Sequence, residues 1–239
     1  MRKSWIGVIL VGLLWHGCAT APKTFLAADG VPIAYKHQVV EGARGTAILL
    51  HGLGSSYDEW YDFAKFLNRE GWSTLAIDFR GHGESTEWLG ANIDWHNFPV
   101  KSSKLFLRDV EAAARHLEGE GELWLVGGSM GSGMSLSYAA EHAEISGIVL
   151  LSPGLKTMGL DLKPAIERYG TRPILVAASA DDGKSVANSQ YLHEKAAGPK
   201  KIITYEDAGH STAMLDWEKD LKQEILSFMN EHVKPKAGG

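Results

Sequence analysis

The stretch Gly127-Gly128-Ser129-Met130-Gly131 follows directly after the apolar run Leu123–Val126. A short apolar run bounded by glycines is typical of a buried strand. Glycines on both sides of Ser129 permit a sharp turn in which a helix packs closely against that strand, where larger side chains would clash. The pattern predicts a serine hydroxyl held in the open, at the positive end of a helix.

Apolar runs and helical patterns alternate on both sides of this turn, and a hairpin is predicted at Asp29-Gly30. Several predicted strands carry apolar residues on both faces, as a parallel sheet covered by helices requires. The sequence therefore predicts an α/β fold with a mostly parallel, eight-stranded, doubly wound sheet that begins with an antiparallel hairpin. The last helix is expected over 212–232, with an apolar stripe that contains Trp217, Leu221, Ile225 and Phe228.

The length and composition fit a single globular domain. The chain has 239 residues, of which 44% are hydrophobic, and these are enough for one sizeable core. Its net charge is −5 and it has no long basic run, which argues against nucleic acid as a partner. We place the domain at residues 24–233 and a flexible tail at 234–239.

The N-terminus has the pattern of a targeting segment. Arg2 and Lys3 supply positive charge, and the apolar run that follows, Trp5–Trp15, is shorter than the ~20 residues of a membrane-spanning helix. Residues 1–17 are therefore expected to form a signal peptide that directs export.

Cys18 is the only cysteine and follows the small residue Gly17. This arrangement resembles a bacterial lipoprotein cleavage site, with Cys18 as the lipid-bearing first residue and 18–23 as a linker. The protein would then be anchored to a bacterial membrane, the outer membrane in particular. The alternative is ordinary cleavage after Ala21, which would leave a soluble periplasmic or secreted protein.

A serine nucleophile needs a base, since an isolated hydroxyl reacts weakly at neutral pH. His210 is the best placed histidine, because it lies in a loop after the last predicted strand. A carboxylate must in turn orient the imidazole, and Asp181 and Asp182 both follow the strand predicted at 174–177. We choose Asp181 from its spacing after that strand, while Asp182 stays open. The order Ser129, Asp181, His210 along the chain suits an acyl-transfer triad.

The same chemistry needs backbone donors for the oxyanion that develops on the substrate. The N–H group of Met130, directly after the serine, is one candidate. The second is expected from the loop after the strand predicted at 47–50, where we choose the N–H group of Leu53. The preceding His51 is expected to make a structural hydrogen bond.

Together these motifs identify the chain as a member of the α/β-hydrolase superfamily over residues 24–233. A further segment, Asp78–Ser85, is similar to one found in esterases and in lysophospholipase or monoacylglycerol-lipase-like members. We interpret it as a scaffold that braces the oxyanion loop. The motifs that carry the resemblance are His51–Gly54, Asp78–Ser85, Gly127–Gly131, the Asp181 loop and Gly209-His210.

The resemblance implies a serine hydrolase that cleaves carboxylic esters through an acyl-enzyme, with no cofactor and no metal. Its expected partner is a small ester or lipid substrate. A thioester, an amide or a C–C bond stays open as the target, because the motifs do not separate these reactions. A binding protein without catalysis is the third alternative, which the presence of all three triad candidates disfavours.

The cap over the site is expected to be minimal. Only 154–172 separates two predicted strands, which leaves room for one short helix within Asp161–Tyr169. We take Trp88, Trp95, Leu155 and Met158 as candidates for the lining of the acyl site. The alternative is that these side chains pack onto the core.

Overall fold

The computed structural model of the protein describes residues 21–99 and 101–234. Eight strands form its central sheet. In chain order they are Thr24–Leu26 (β1), Pro32–Gln38 (β2), Thr46–Leu50 (β3), Ser73–Ile77 (β4), Leu123–Gly128 (β5), Ile145–Leu151 (β6), Ile174–Ser179 (β7) and Lys200–Tyr205 (β8).

The strand order across the sheet is β1-β2-β4-β3-β5-β6-β7-β8. The pairs β1/β2 and β2/β4 are antiparallel, and every other pair of neighbours is parallel. The predicted mostly parallel, eight-stranded sheet with its N-terminal hairpin is therefore confirmed. Because β3 to β8 are parallel, their carboxyl ends meet at one edge, where ligands bind in such sheets.

Within residues 21–99 and 101–234, seven α-helices pack around the sheet or form part of the cap. They are Tyr61–Arg69 (α1), Ser103–His116 (α2), Met130–Ala139 (α3), Leu162–Tyr169 (α4), Ser185–Lys195 (α5), Ala213–Trp217 (α6) and Lys219–His232 (α7). A 3-10 turn, Tyr57–Trp60, leads into α1. The cap consists of a small hairpin at residues 156–161 and of α4, which is the short helix predicted there.

The core has one hydrophobic layer on each face of the sheet, since successive side chains of a strand point to opposite faces. In β3, Ile48 and Leu50 join the layer that contains Phe106 of α2. Leu49, between them, joins the layer that contains Ile225 of α7. All five residues of β3 are buried, as a sheet covered on both faces requires.

The C-terminal helix differs from the prediction because it is broken. Glu218 has an extended backbone (φ −106°, ψ 100°) and separates α6 from α7. Trp217, expected on the buried stripe, is 73% exposed, whereas Leu221 and Ile225 are buried. Because of the break, Trp217 does not lie on the same helix face as Leu221 and Ile225, although the spacing of the apolar residues predicted this.

No helix within residues 21–99 and 101–234 is long and apolar enough to cross a membrane. The predicted signal peptide, the lipidation site at Cys18 and the tail from residue 235 lie outside the residues that the structure describes.

Candidate active site

Ser129 sits on a strained turn between β5 and α3. Its backbone angles are φ 51° and ψ −108°, a region that costs a residue with a side chain about 1–3 kcal/mol. The flanking glycines make the turn sterically feasible. A Cβ at Gly127 would collide with the backbone of Gly131, and a Cβ at Gly131 would collide with the carbonyl of Leu50 in β3. The glycines at positions 127 and 131 of the sequence motif are therefore required because a side chain at either position would not fit.

Gly131→Ala is expected to lower the free energy of unfolding by about 3 kcal/mol, because the backbone that it meets cannot move aside without shifting α3 from the sheet. Gly133→Ala is the matched control on the same helix. A Cβ there meets a methyl group of the half-buried Thr157, which can rotate away. Denaturant titration of both variants measures the difference, and equal stabilities would contradict the steric argument.

The loop after β3 lies against the nucleophile turn. A Cβ built on Gly52 would be 3.5 Å from the Cβ of Ser129. Leu53 follows in this loop with 43% of its surface exposed. Met130 is the first residue of α3, where backbone N–H groups have no partner within the helix. The loop of Leu53 and the N–H group of Met130 therefore flank the serine from two elements.

His51 fixes the start of this loop from inside the protein. Its Nε2 accepts a hydrogen bond from the Phe79 backbone N–H group at 3.0 Å, so its Nδ1 donates to the Gly52 carbonyl at 2.6 Å. Burial lowers the pKa of the imidazole to about 3. His51 is thus a neutral structural residue, as its place in the sequence suggested.

Glu59 also holds the start of this loop. Its Oε1 accepts the Gly52 N–H group at 3.1 Å, one residue before Leu53. Burial raises the pKa of the Glu59 carboxyl, while the hydrogen bonds from Ser55 and from the Gly52 backbone oppose this rise. Nothing in the sequence singled out Glu59, because its contact forms only when the 3-10 turn folds back onto the loop.

We expect Glu59→Ala to lower kcat/KM roughly 10- to 100-fold, because the loop loses the acceptor that fixes its shape. Glu59→Gln is the matched control, since its amide oxygen can still accept the Gly52 N–H group. Steady-state kinetics on one ester should place Glu59→Gln within about threefold of wild type. Equal losses in both variants would show that the charge, rather than the hydrogen bond, matters.

Asp78, at the end of β4, ties three segments together. Its carboxylate accepts the N–H group of Tyr57 at 2.6 Å and that of Glu84 at 2.7 Å. A Cβ at Gly83 would collide with this carboxylate, which explains the glycine. Burial raises the pKa of Asp78 to about 6. These contacts agree with the predicted bracing role of the segment 78–85.

His210 lies in the loop after β8 and is oriented by a carboxylate. Its Nδ1 is 2.7 Å from Oδ2 of Asp182. This contact puts the proton of neutral imidazole on Nδ1, which leaves Nε2 free to accept a proton. The His210 side chain is 54% exposed and that of Asp182 is 19% exposed.

The prediction that Asp181 pairs with His210 is wrong, since the structure places Asp182 there. Asp181 instead accepts the N–H group of Gly209 at 3.2 and 3.3 Å and the hydroxyl of Ser179. The Ser179 hydrogen bond lowers the pKa of the Asp181 carboxyl. Asp181 thus shapes the turn before His210, and the next residue along the loop reaches the ring.

Two buried serines hold the loop of His210 to the end of β6. The Ser211 N–H group donates to the hydroxyl of Ser152 at 2.9 Å. Both residues have a positive φ, 59° and 50° respectively. Non-glycine residues rarely adopt such angles away from functional sites, and here they bring the ends of β6 and β8 together.

Ser129, Asp182 and His210 line one open cavity of about 310 Å³ at the carboxyl edge of the sheet. No hydrogen bond joins the Ser129 hydroxyl to His210 among residues 21–99 and 101–234. Such bonds are often long before substrate binds. The sequence prediction missed several polar residues of this cavity. Only Ser152 directly follows a strand of the central sheet, which was a usable signal for that residue. The missed residues are Ser152, Lys156, Thr157, Lys184 and Asn188.

The four apolar residues predicted to line the acyl site do not line this cavity. Leu155 and Met158 pack against the core, which was the alternative reading. Trp88 lies beside Gly30 of the β1–β2 turn, where a Cβ would be 3.9 Å from its indole nitrogen. Trp95 stacks on His82 at 5.3 Å and lines a neighbouring cavity. Loop side chains take directions that the sequence alone does not determine.

Comparison with known proteins places this geometry in a family. Residues 47–168 match the family model of the alpha/beta hydrolase fold. The chain belongs to the alpha/beta hydrolase family. In the part of the chain that the structure describes, no group of three or more His, Cys, Asp or Glu residues is arranged to hold a metal ion.

Two curated relatives are enzymes. The chain is 33% identical over 180 residues to the bifunctional esterase/perhydrolase DCH of Acinetobacter calcoaceticus. The alignment covers 72% of this chain and 57% of that protein. It is 36% identical over 108 residues to the non-heme chloroperoxidase CPO-A1 of Kitasatospora aureofaciens, covering 44% of this chain and 38% of that protein. The chain therefore spans less than two thirds of either relative.

The fold also matches solved structures. The esterase Pf2001 of Pyrococcus furiosus superposes with a TM-score of 0.71 at 18% identity, covering 89% of this chain and 92% of that one. At this identity the likeness concerns the fold.

Proposed function

We propose that this protein is a serine hydrolase that cleaves carboxylic esters through an acyl-enzyme intermediate. Ser129 is the nucleophile, His210 the general base, and Asp182 the carboxylate that orients it. The observation that carries the proposal is the shared cavity in which a serine on a strained turn meets a histidine whose Nδ1 is already engaged by a carboxylate.

In the first half of the reaction, Nε2 of His210 takes the hydroxyl proton of Ser129 as the oxygen attacks the ester carbonyl. The N–H groups of Leu53 and Met130 hold the oxyanion that forms. His210 then gives its proton to the departing alcohol, and Ser129 is left acylated.

In the second half, water replaces the alcohol. His210 removes a proton from the water as its oxygen attacks the acyl carbon. When the bond from that carbon to the Ser129 oxygen breaks, His210 returns the proton to this oxygen, and the carboxylic acid is released. Asp182 stabilises the imidazolium in both halves without becoming protonated itself. The openness of His210 to solvent gives water access to the acylated serine.

Three substrates that share the butyryl group test which type of bond is cleaved. They are p-nitrophenyl butyrate, S-phenyl thiobutyrate and p-nitrobutyranilide. An esterase is expected to hydrolyse the oxygen ester with the highest kcat/KM, corrected for spontaneous hydrolysis. A higher value for the thioester or the amide would favour one of those reactions on the same residues. Failure to turn over any of the three would contradict the proposal and favour a C–C hydrolase or a binding protein.

Perhydrolysis is a second candidate activity, favoured by the similarity to an esterase/perhydrolase. Hydrogen peroxide would attack the acylated Ser129 in place of water, giving a peracid and free serine. Peracid production from an ester and hydrogen peroxide, abolished by Ser129→Ala, would support it. Unchanged peracid production in that variant would exclude this route.

Lipid anchoring remains a proposal from the sequence. Cys18 after Gly17 is the feature that supports it. Cys18→Ser is expected to move the exported protein from the membrane fraction to the soluble fraction. Retention in the membrane fraction would contradict the anchor.

A further inference from the structure

We propose that the catalytic cavity selects esters that carry a second, anionic oxygen group, such as a carboxylate. This inference rests on the proposed function and names its substrate class. It arises from the two lysines, Lys156 and Lys184, that line the same cavity as Ser129.

The side chains of both lysines are available to bind a ligand. Lys156 lies on the small hairpin of the cap, and Lys184 precedes α5, so they approach the cavity from different segments. Both are exposed, and neither takes part in an ion pair within residues 21–99 and 101–234. The carboxylate that lines the cavity with them, that of Asp182, is engaged by His210.

The remaining lining supports a polar, charged ligand rather than a long alkyl chain. Pro153 is the largest apolar residue among the twelve that line the cavity. Ser185 is 94% buried and lines it as well, and its hydroxyl has no hydrogen-bond partner in the described part of the chain. Ser185 also begins α5, whose partial positive charge at that end favours an anion.

The overall charge makes this local arrangement selective. The chain carries a net charge of −5, which does not favour anionic substrates in general. Lys156 and Lys184 place two positive charges in the same cavity as Ser129, where they can attract an anionic substrate locally. An uncharged ester of the same shape gains nothing from them.

Matched ester pairs test the charge. Monomethyl glutarate and methyl valerate differ only in a carboxylate for a methyl group on the acyl side. The 4-carboxyphenyl and 4-carbamoylphenyl esters of butyrate compare a carboxylate with a neutral amide on the alcohol side. We expect wild type to prefer the anionic member of at least one pair about tenfold in kcat/KM, and added salt to reduce this ratio.

Variants assign the preference to the lysines. Lys156→Gln and Lys184→Gln are each expected to lower the ratio of anionic to neutral kcat/KM several-fold, and the double variant to abolish it. Arginine at the same positions should retain the ratio. Lys65→Gln, which removes an exposed charge on α1, is the matched control and should leave the ratio unchanged.

Binding separates this inference from the esterase proposal. Calorimetric titration of the Ser129→Ala protein with the preferred anionic ester and its neutral partner needs no turnover. Tighter binding of the anion, lost in the double lysine variant, supports the subsite even if neither ester is hydrolysed. Equal hydrolysis of both members of both pairs, or equal binding of them, overturns it and leaves the esterase proposal standing. Inhibition by inorganic phosphate, compared with glutarate, distinguishes a phosphate from a carboxylate ligand.

Discussion

Ser129→Ala is expected to reduce kcat/KM for p-nitrophenyl butyrate by about 10⁴-fold or more, because the variant lacks the hydroxyl oxygen that forms the acyl-enzyme in the proposed mechanism. The variant should remain folded. Alanine fits the space of serine, and the strain at φ 51° is unchanged. Steady-state kinetics and thermal unfolding, run on the same preparation, separate loss of chemistry from loss of structure.

Ser137→Ala provides the matched control. Ser137 lies eight residues later on α3 and does not line the catalytic cavity. Its replacement should leave kcat/KM within about twofold of wild type. Residual activity of Ser129→Ala above about 10% of wild type, with the protein pure, would mean that another residue is the nucleophile.

Asp182→Asn is expected to lower kcat by about 10³-fold. The asparagine amide group can donate to Nδ1 of His210, which moves the ring proton to Nε2, where a proton acceptor is needed. Asp181→Asn is the neighbouring control. Its amide oxygen can still accept the Gly209 N–H group, so activity should stay within about threefold of wild type.

These two variants distinguish the structural assignment from the one made on spacing alone. A large loss in Asp181→Asn with a small loss in Asp182→Asn would restore Asp181 as the partner of His210. Comparable large losses in both would show that the turn at Gly209 and the imidazole contact are equally needed. Measurement of kcat at saturating substrate avoids confusion with altered binding.

The sheet and the nucleophile could be predicted from the sequence because both depend on local patterns. An apolar strand followed by glycines around Ser129 has few structural solutions, and the collision of a Gly131 Cβ with Leu50 shows why. The order of the strands across the sheet is known only from the structure. His210 could be found because it follows Ser129 in the sequence and lies in the loop after the last predicted strand.

Other features depend on contacts between distant segments. Asp181 and Asp182 are chemically identical, and only the fold of the loop onto Gly209 decides which one reaches His210. Leu155 turns to the core although its neighbour Lys156 lines the cavity. The break at Glu218 could not be predicted, since no proline or glycine marks it in the sequence.

Labelling with a fluorophosphonate probe, followed by mass spectrometry of the peptides, tests most directly whether Ser129 and His210 act together. The probe phosphonylates only an activated serine, so a single adduct on Ser129 is predicted. The labelling rate should fall by about 10³-fold in a His210→Ala variant. An adduct on a different serine, or labelling of Ser129 at an unchanged rate without His210, would contradict the proposed mechanism.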